Sequence, residues 1–202
     1  MAQLYFRYGA MGCGKTMQLL QVAFNYEERG QTVCVIKPSV DTKNGDKLLT
    51  RIGPERQTDF CFNRTADLFK RIQKSYANVS CVLVDEAQFL TKRQADQLLM
   101  IAVKLDIPVI AYGLRLNFRM SDKGFEGSTR LLQIAHKIEE IKTICDCGRK
   151  AMLNCRFLNG KLTVDGPDVL IDDGKTDIVY RALCPHCYFR LLNEAKGEKA
   201  CS

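Results

Sequence analysis

Eight consecutive residues, Gly9-Ala10-Met11-Gly12-Cys13-Gly14-Lys15-Thr16, fill every fixed position of the pattern G-x-x-x-x-G-K-T/S. That spacing suits a polyphosphate. Glycines let successive backbone N–H groups curl round phosphate oxygens, and a helix starting at the end of the loop aims its positive dipole end at the same oxygens. Lys15 adds a mobile charge that reaches the β- and γ-phosphates, and Thr16 offers a hydroxyl to Mg²⁺. The partner of such a loop is an acid delivered by an apolar strand, and Val82-Leu83-Val84-Asp85-Glu86 has that form. Asp85 is the candidate for holding Mg²⁺ against phosphate oxygens. Glu86, one residue further out, is the candidate general base. If it orients water, the chemistry is nucleotide hydrolysis; if it takes a proton from a substrate hydroxyl, it is phosphoryl transfer.

A second constellation lies near the other end. Cys145-Asp146-Cys147 and Cys184-Pro185-His186-Cys187 supply four thiolates, a set that suits tetrahedral Zn²⁺. His186 could stand in for Cys187, but Cys187 is better placed for the bite. Four protein ligands leave no open position for water, so the site reads as structural. Cys34 and Cys81 fall within apolar strand patterns and read as core.

The elements that must position these groups follow from periodicity. Leu4 to Tyr8 is an apolar strand entering the glycine loop, and Lys15 to about Glu28 is a helix ending near Gly30. Thr32 to Ile36, Asp59 to Phe62, Ser80 to Val84, Ile107 to Tyr112 and Ile138 to Ile144 read as further strands. Helices are expected over Ala66 to Tyr76, after a Thr91 cap to about Leu105, and over Leu131 to Ala135. Pro38 to Gly53 and Gly113 to Gly127 are polar and aperiodic, and read as functional loops. Strands alternating with helices define an α/β domain with a mainly parallel sheet, ligands sitting at the strand C-terminal ends. The composition changes at about Thr143. The expected organisation is therefore a P-loop domain over residues 1–143, a small zinc-binding lobe over 144–193 and a frayed polar tail over 194–202.

Composition narrows the function. The chain has 202 residues, 46% of them hydrophobic, and no apolar run approaches the roughly 18 residues of a membrane span. No secretory signal is visible, which points to the cytoplasm. Thirty Lys and Arg against 23 Asp and Glu give a charge of +7, but the basic residues are scattered among acidic neighbours and form no stripe for nucleic acid. Asp85-Glu86-Ala87-Gln88 also fits the acid-acid-x-Gln box of some helicases. Against a motor stands length, because about 60 Cys-paired residues cannot build the second lobe that closes a helicase site. A zinc-dependent DNA-binding ATPase is the alternative from another class.

At this point the sequence resembles the type II thymidine kinases, the zinc-containing cytosolic class, over nearly its whole length. The residues that carry the resemblance are the loop Gly9 to Thr16, Ile36-Lys37-Pro38 followed by Asp41-Thr42, Val84-Asp85-Glu86-Ala87-Gln88-Phe89, Tyr112-Gly113-Leu114-Arg115 with Asn117-Phe118-Arg119, and Cys145-x-Cys147-Gly148-x-Lys150-Ala151 with Tyr180 and the final cysteine pair. The resemblance implies transfer of the γ-phosphoryl group of ATP to the thymidine 5′-hydroxyl, with Glu86 as proton acceptor. It implies that Asp41, Lys43 and Gln88 join the loop in ATP and phosphate binding. It also implies that Met11, Gln88, Phe89, Leu114, Phe118 and Tyr180 line the base pocket, beneath a lasso whose backbone reads the pyrimidine edge around Val169 to Gly174. Feedback inhibition by thymidine triphosphate and a homotetramer are implied in the same way. The sequence departs from the family pattern at Cys13, where serine or alanine is usual, and at Lys43, where many members carry arginine. It departs again at Ile171-Asp172-Asp173-Gly174-Lys175, where Ile-Gly-Gly is usual before the lasso tyrosine.

Overall fold

The computed structural model describes residues 1–40, 45–50, 52–118, 124–164, 166 and 177–196. The chain divides into two compact units. The described residues of the first fall within Met1–Tyr8, Gly14–Arg115 and Phe125–Glu140, and those of the second within Gly9–Cys13, Leu116–Gly124 and Ile141–Ser202.

The first unit is built on strands β1 (Leu4–Tyr8), β2 (Val33–Pro38), β3 (Lys47–Leu49), β4 (Glu55–Gln57), β5 (Phe60–Phe62), β6 (Cys81–Val84), β7 (Val109–Gly113) and β8 (Lys137–Glu140). Six of them form one sheet in the order β5-β2-β6-β7-β1-β8, and every neighbouring pair is parallel. Parallel strands joined by helices are covered on both faces, which is why β2, β6 and β7 are buried at every position instead of alternating. The helices are α1 (Lys15–Glu27), α2 (Leu68–Ser75), α3 (Lys92–Lys104) and α4 (Glu126–Ile134). Leu98, Ile101 and Ala102 of α3 share a core with Cys34, Ile36, Val82, Val84, Val109 and Ala111. α1 lies against β2 and β7, and Leu19 and Ala23 are buried on it.

Local signals explain the boundaries. Thr91 caps α3 by accepting from the Gln94 N–H, while the Gln94 side chain accepts from the Thr91 N–H, a complete capping box. Asp67 caps α2, later than the expected start at Ala66. Three expectations change. α4 starts at Glu126, five residues before the expected Leu131 and inside the segment read as a loop from Gly113 to Gly127. Within the segment read as a loop from Pro38 to Gly53, β3 pairs antiparallel with β4, in register Leu48 to Arg56. The expected strand Ile138 to Ile144 divides between units: β8 joins the parallel sheet beside β1, and β9 (Thr143–Ile144) pairs with β10 (Lys150–Ala151) in the second unit.

The second unit also contains β11 (Leu153–Leu158), β12 (Lys161–Thr163), β13 (Ile178–Leu183) and α5 (Pro185–Lys196). β12, β11 and β13 form an antiparallel sheet with β11 in the middle. Its apolar core holds Cys145, Ala151, Leu153, Cys155, Phe157, Leu183, Cys184, Cys187 and Tyr188. α5 continues to Lys196, so residues 194–196, expected in the tail, are helical.

Candidate active site and cysteine centre

In the first unit, α1 starts directly from the glycine loop. Gly14 is its N-cap at φ 84° with no side-chain cap, a left-handed conformation that glycine adopts without a Cβ penalty. The first turn thus keeps its dipole end for a ligand. Lys15 follows, 8% exposed. Thr16 Oγ1 donates to Asp85 Oδ2 at 3.0 Å, bringing the two candidate Mg²⁺ residues together. Asp85 Oδ1 accepts the Glu86 N–H at 3.0 Å. Burial, and then the nearby Glu86 charge, push the Asp85 carboxyl up to about 7, against the opposing pull of the Glu86 N–H, Thr16 and Lys15. A carboxylate that is expensive to ionise without a cation is the donor a metal site calls for, and with the Thr16 hydroxyl it forms an oxygen set that fits Mg²⁺.

Glu86 stands at φ 50°, ψ 38°, the left-handed region. The other described non-glycine residues there are Asp106 and Asn159, side chains that tolerate it; a glutamate does so at a cost of order 1 kcal/mol. The bend turns the chain from β6 into the 3₁₀ turn Ala87–Phe89 and leaves Glu86 half-buried. Gln88 Nε2 donates to Glu86 Oε2, and Gln88 Oε1 accepts the Leu114 N–H at 3.1 Å. Gln88 therefore links the candidate base to the end of β7. Two glycines allow this. A Cβ at Gly113 would lie 3.0 Å from Gln88 N, and one at Gly127 would lie 2.5 Å from Ala87 O. Phe89 packs edge-on against Phe125, their centroids 5.7 Å apart, and Leu114 is buried. The sequence did not single out Ser128, whose hydroxyl donates to the Leu114 carbonyl.

In the second unit, Gly9 is a point of close approach: a Cβ there would lie 2.5 Å from Ile141 O and also clash with Cys13 Sγ. Gly12 is at φ 75°. Met11 donates its N–H to Asn154 Oδ1 at 2.8 Å. Phe118 is buried and lies under the Arg156 guanidinium, while Tyr180 is half-buried on β13. Asn154 and Arg156 were missed in the sequence, where polar residues alternating with Leu153, Cys155 and Phe157 look like a solvent face. Asp41, Lys43 and Val169 to Gly174 lie outside the described residues.

The sulfur atoms of Cys145, Cys147, Cys184 and Cys187 all lie within 4.8 Å of one another, Cys147 and Cys184 at 3.5 Å. Four thiolates at about 2.3 Å from one Zn²⁺ would be spaced at about 3.8 Å, so the set fits. The Arg149 N–H, then hydrogen bonds from Cys187 and Cys184, bring Cys147 down to about 6; sharing in those bonds pushes Cys187 up to about 12. The cluster already favours a sulfur anion, the form a metal binds. Cys184 Sγ accepts the Cys187 N–H at 3.4 Å, the local geometry of a C-x-x-C turn at a helix start.

A parallel sheet, a glycine loop feeding a helix, and a strand-end Asp–Glu pair define a P-loop nucleotide-using enzyme. A family model described as thymidine kinase matches residues 2–188. Curated relatives called thymidine kinase include those of Lactiplantibacillus plantarum, 42% identical over 94% of this chain and 96% of the relative, and Legionella pneumophila strain Lens, 44% identical over 94% and 90%. The Streptococcus gordonii relative is 42% identical over 94% of this chain and 97% of its own. The chain belongs to the thymidine kinase family. Among solved structures, Pif1 helicase from Candida albicans superposes with 71% of this chain and 36% of its own at a TM-score of 0.41 and 15% identity, too low to carry an argument.

Proposed function

We propose that the chain transfers the γ-phosphoryl group of ATP to the 5′-hydroxyl of thymidine, giving thymidine monophosphate. The observation that carries this reading is the Thr16–Asp85 bond next to a Glu86 held by Gln88, in a chain of the thymidine kinase family. It is an ATP-dependent phosphotransferase with an alcohol acceptor. Residues Gly9 to Thr16 bind the phosphates, and Asp41 and Lys43 assist them. Thr16 and Asp85 would hold Mg²⁺, which would neutralise charge on the transferring group. Lys15 adds its own charge at the same oxygens. Glu86 takes the proton of the 5′-hydroxyl, and Gln88 fixes the carboxylate that does so. Met11, Gln88, Phe89, Leu114, Phe118 and Tyr180 contact the base, whose planar faces suit aromatic rings. Most of the acceleration is positioning and electrostatics.

Cys145, Cys147, Cys184 and Cys187 hold a structural Zn²⁺. The domain division is a P-loop domain over residues 1–143 and a lasso lobe over 144–193. A cytoplasmic location, a homotetramer and inhibition by thymidine triphosphate carry over from the family resemblance. No helix among the described residues is long and apolar enough to cross a membrane.

The test is phosphate transfer from Mg²⁺·ATP to thymidine, deoxyuridine, deoxycytidine and deoxyadenosine, with single-stranded DNA and no acceptor as controls. The expected result is transfer to thymidine, less to deoxyuridine and background elsewhere. ATP hydrolysis that rises with DNA, without a nucleoside product, would favour a DNA-binding ATPase.

A further inference from the structure

The middle strand of the second unit has two working faces. On one, Leu153, Cys155 and Phe157 of β11 pack in the core that contains Cys145, Cys184 and Cys187. The alternate residues, Asn154 and Arg156, leave the strand on the other side and are as deeply buried, at 3% and 1% exposure. Buried polar groups of this kind need partners. Asn154 Oδ1 accepts the Met11 N–H at 2.8 Å and Nδ2 donates to the Leu116 carbonyl at 2.7 Å, so the amide is fixed at both ends. The Arg156 guanidinium lies over the Phe118 ring, Cζ 3.9 Å from the centroid, close enough for full stacking. Gly166, at φ 103°, also comes close to it: a Cβ there would lie 2.7 Å from Arg156 Nη2. Tyr180 stands directly opposite Arg156 on β13, and cross-strand partners project from the same face of a sheet.

We propose that Asn154 and Arg156 are positioning residues: one face of β11 acts as a brace that sets Met11, Leu116, Phe118 and Gly166 for recognition of the pyrimidine nucleoside. The inference rests on the thymidine kinase reading, in which Met11, Phe118 and Tyr180 contact the base. Each prong has its own role. Asn154 ties a residue of the glycine loop to the segment that leads to Phe118, so it sets both the phosphate loop and the base site. Arg156 fixes the plane of the Phe118 ring and the backbone at Gly166, so it bears on the base alone. A planar guanidinium does this and an ammonium does not, because only the former stacks flat on a ring. The opposite face of the same strand packs with the cysteine cluster, which gives a small zinc lobe a mechanical reason to bear on nucleoside binding.

The experiment compares zinc-loaded full-length wild type with Arg156→Lys, Arg156→Met and Asn154→Ala, measuring zinc per chain, kcat, and KM for thymidine and for ATP. Arg156→Lys and Arg156→Met are expected to keep the zinc, to raise the thymidine KM about tenfold, and to leave kcat within about threefold and the ATP KM within about twofold. Asn154→Ala is expected to raise both KM values about fivefold or more. Thymidine KM values within about twofold of wild type in zinc-replete Arg156 variants would overturn the proposal. So would loss of zinc and of all parameters together in Arg156→Lys, which would make the residue merely structural. The wild-type panel is read first: absence of thymidine transfer there would refute the reading beneath the proposal, and the brace with it.

Discussion

Thr16 Oγ1 donates to Asp85 Oδ2 at 3.0 Å, across 69 residues of sequence, so the hydroxyl in the first turn of α1 meets the carboxyl just past the end of β6. Its other oxygen, Oδ1, accepts the Glu86 N–H at 3.0 Å.

The cost of that arrangement is measurable in the ligand-free protein. Asp85 titrates at about 7 when folded, against an ordinary value of 3.8, so folding takes up a proton. Its contribution is fullest below about pH 4 and is lost as pH rises toward 7. Asp85→Asn escapes this loss. Thermal unfolding without Mg²⁺ or ATP should show the variant melting a few degrees above wild type at pH 8, with the gap narrowing toward pH 5. A variant that melts below wild type at pH 8 would contradict the account of a strained acid.

Gly113 is a test of the Gln88 link. A Cβ there meets Gln88 N at 3.0 Å and Gln88 Oε1 at 3.1 Å, and the backbone N has little room to give. Gly113→Ala should lower kcat/KM for thymidine about tenfold or more while ATP binding stays within about threefold. Steady-state kinetics with nucleotide binding measured separately would decide; unchanged kcat/KM would show that Gln88 does not position the base.

The fold was legible where pattern and chemistry agree. Leu4 to Tyr8 had to be a strand and Lys15 a helix start, because the loop between them works only in that setting, and β1 and α1 begin at those residues. The apolar runs at β2, β6 and β7 are long enough to have one reading. β3 and β4 were not legible, since Lys47-Leu48-Leu49 and Glu55-Arg56-Gln57 are three residues each, too short for a pattern, and they pair with each other. The division between β8 and β9 escaped because Ile138-Glu139-Glu140-Ile141-Lys142-Thr143-Ile144 has β-branched residues throughout and no Gly or Pro to mark a break. Asn154 and Arg156 escaped for the opposite reason: their period-two spacing signals water, whereas their partners Met11, Leu116 and Phe118 come from distant parts of the sequence.

The cysteine centre predicts one equivalent of zinc per chain in protein purified without added metal. Less than about half an equivalent would count against a structural four-thiolate site. Cys184→Ser removes a buried candidate ligand and should lower the bound zinc to near zero. It should also lower the melting temperature by about 10 °C or more, because metal binding in a lobe this small is folding energy. Full zinc content and wild-type melting in that variant would place the metal elsewhere.

The central claim is that Glu86 takes the proton of the thymidine 5′-hydroxyl, and Glu86→Gln tests it most directly. The substitution keeps the size of the side chain and removes the base. Single-turnover phosphate transfer from Mg²⁺·ATP to thymidine should fall by about 10² to 10⁴, with the Kd for ATP within about threefold of wild type. Transfer that stays within a few-fold of wild type would contradict the assignment and leave the strand-end pair with a metal-holding role alone.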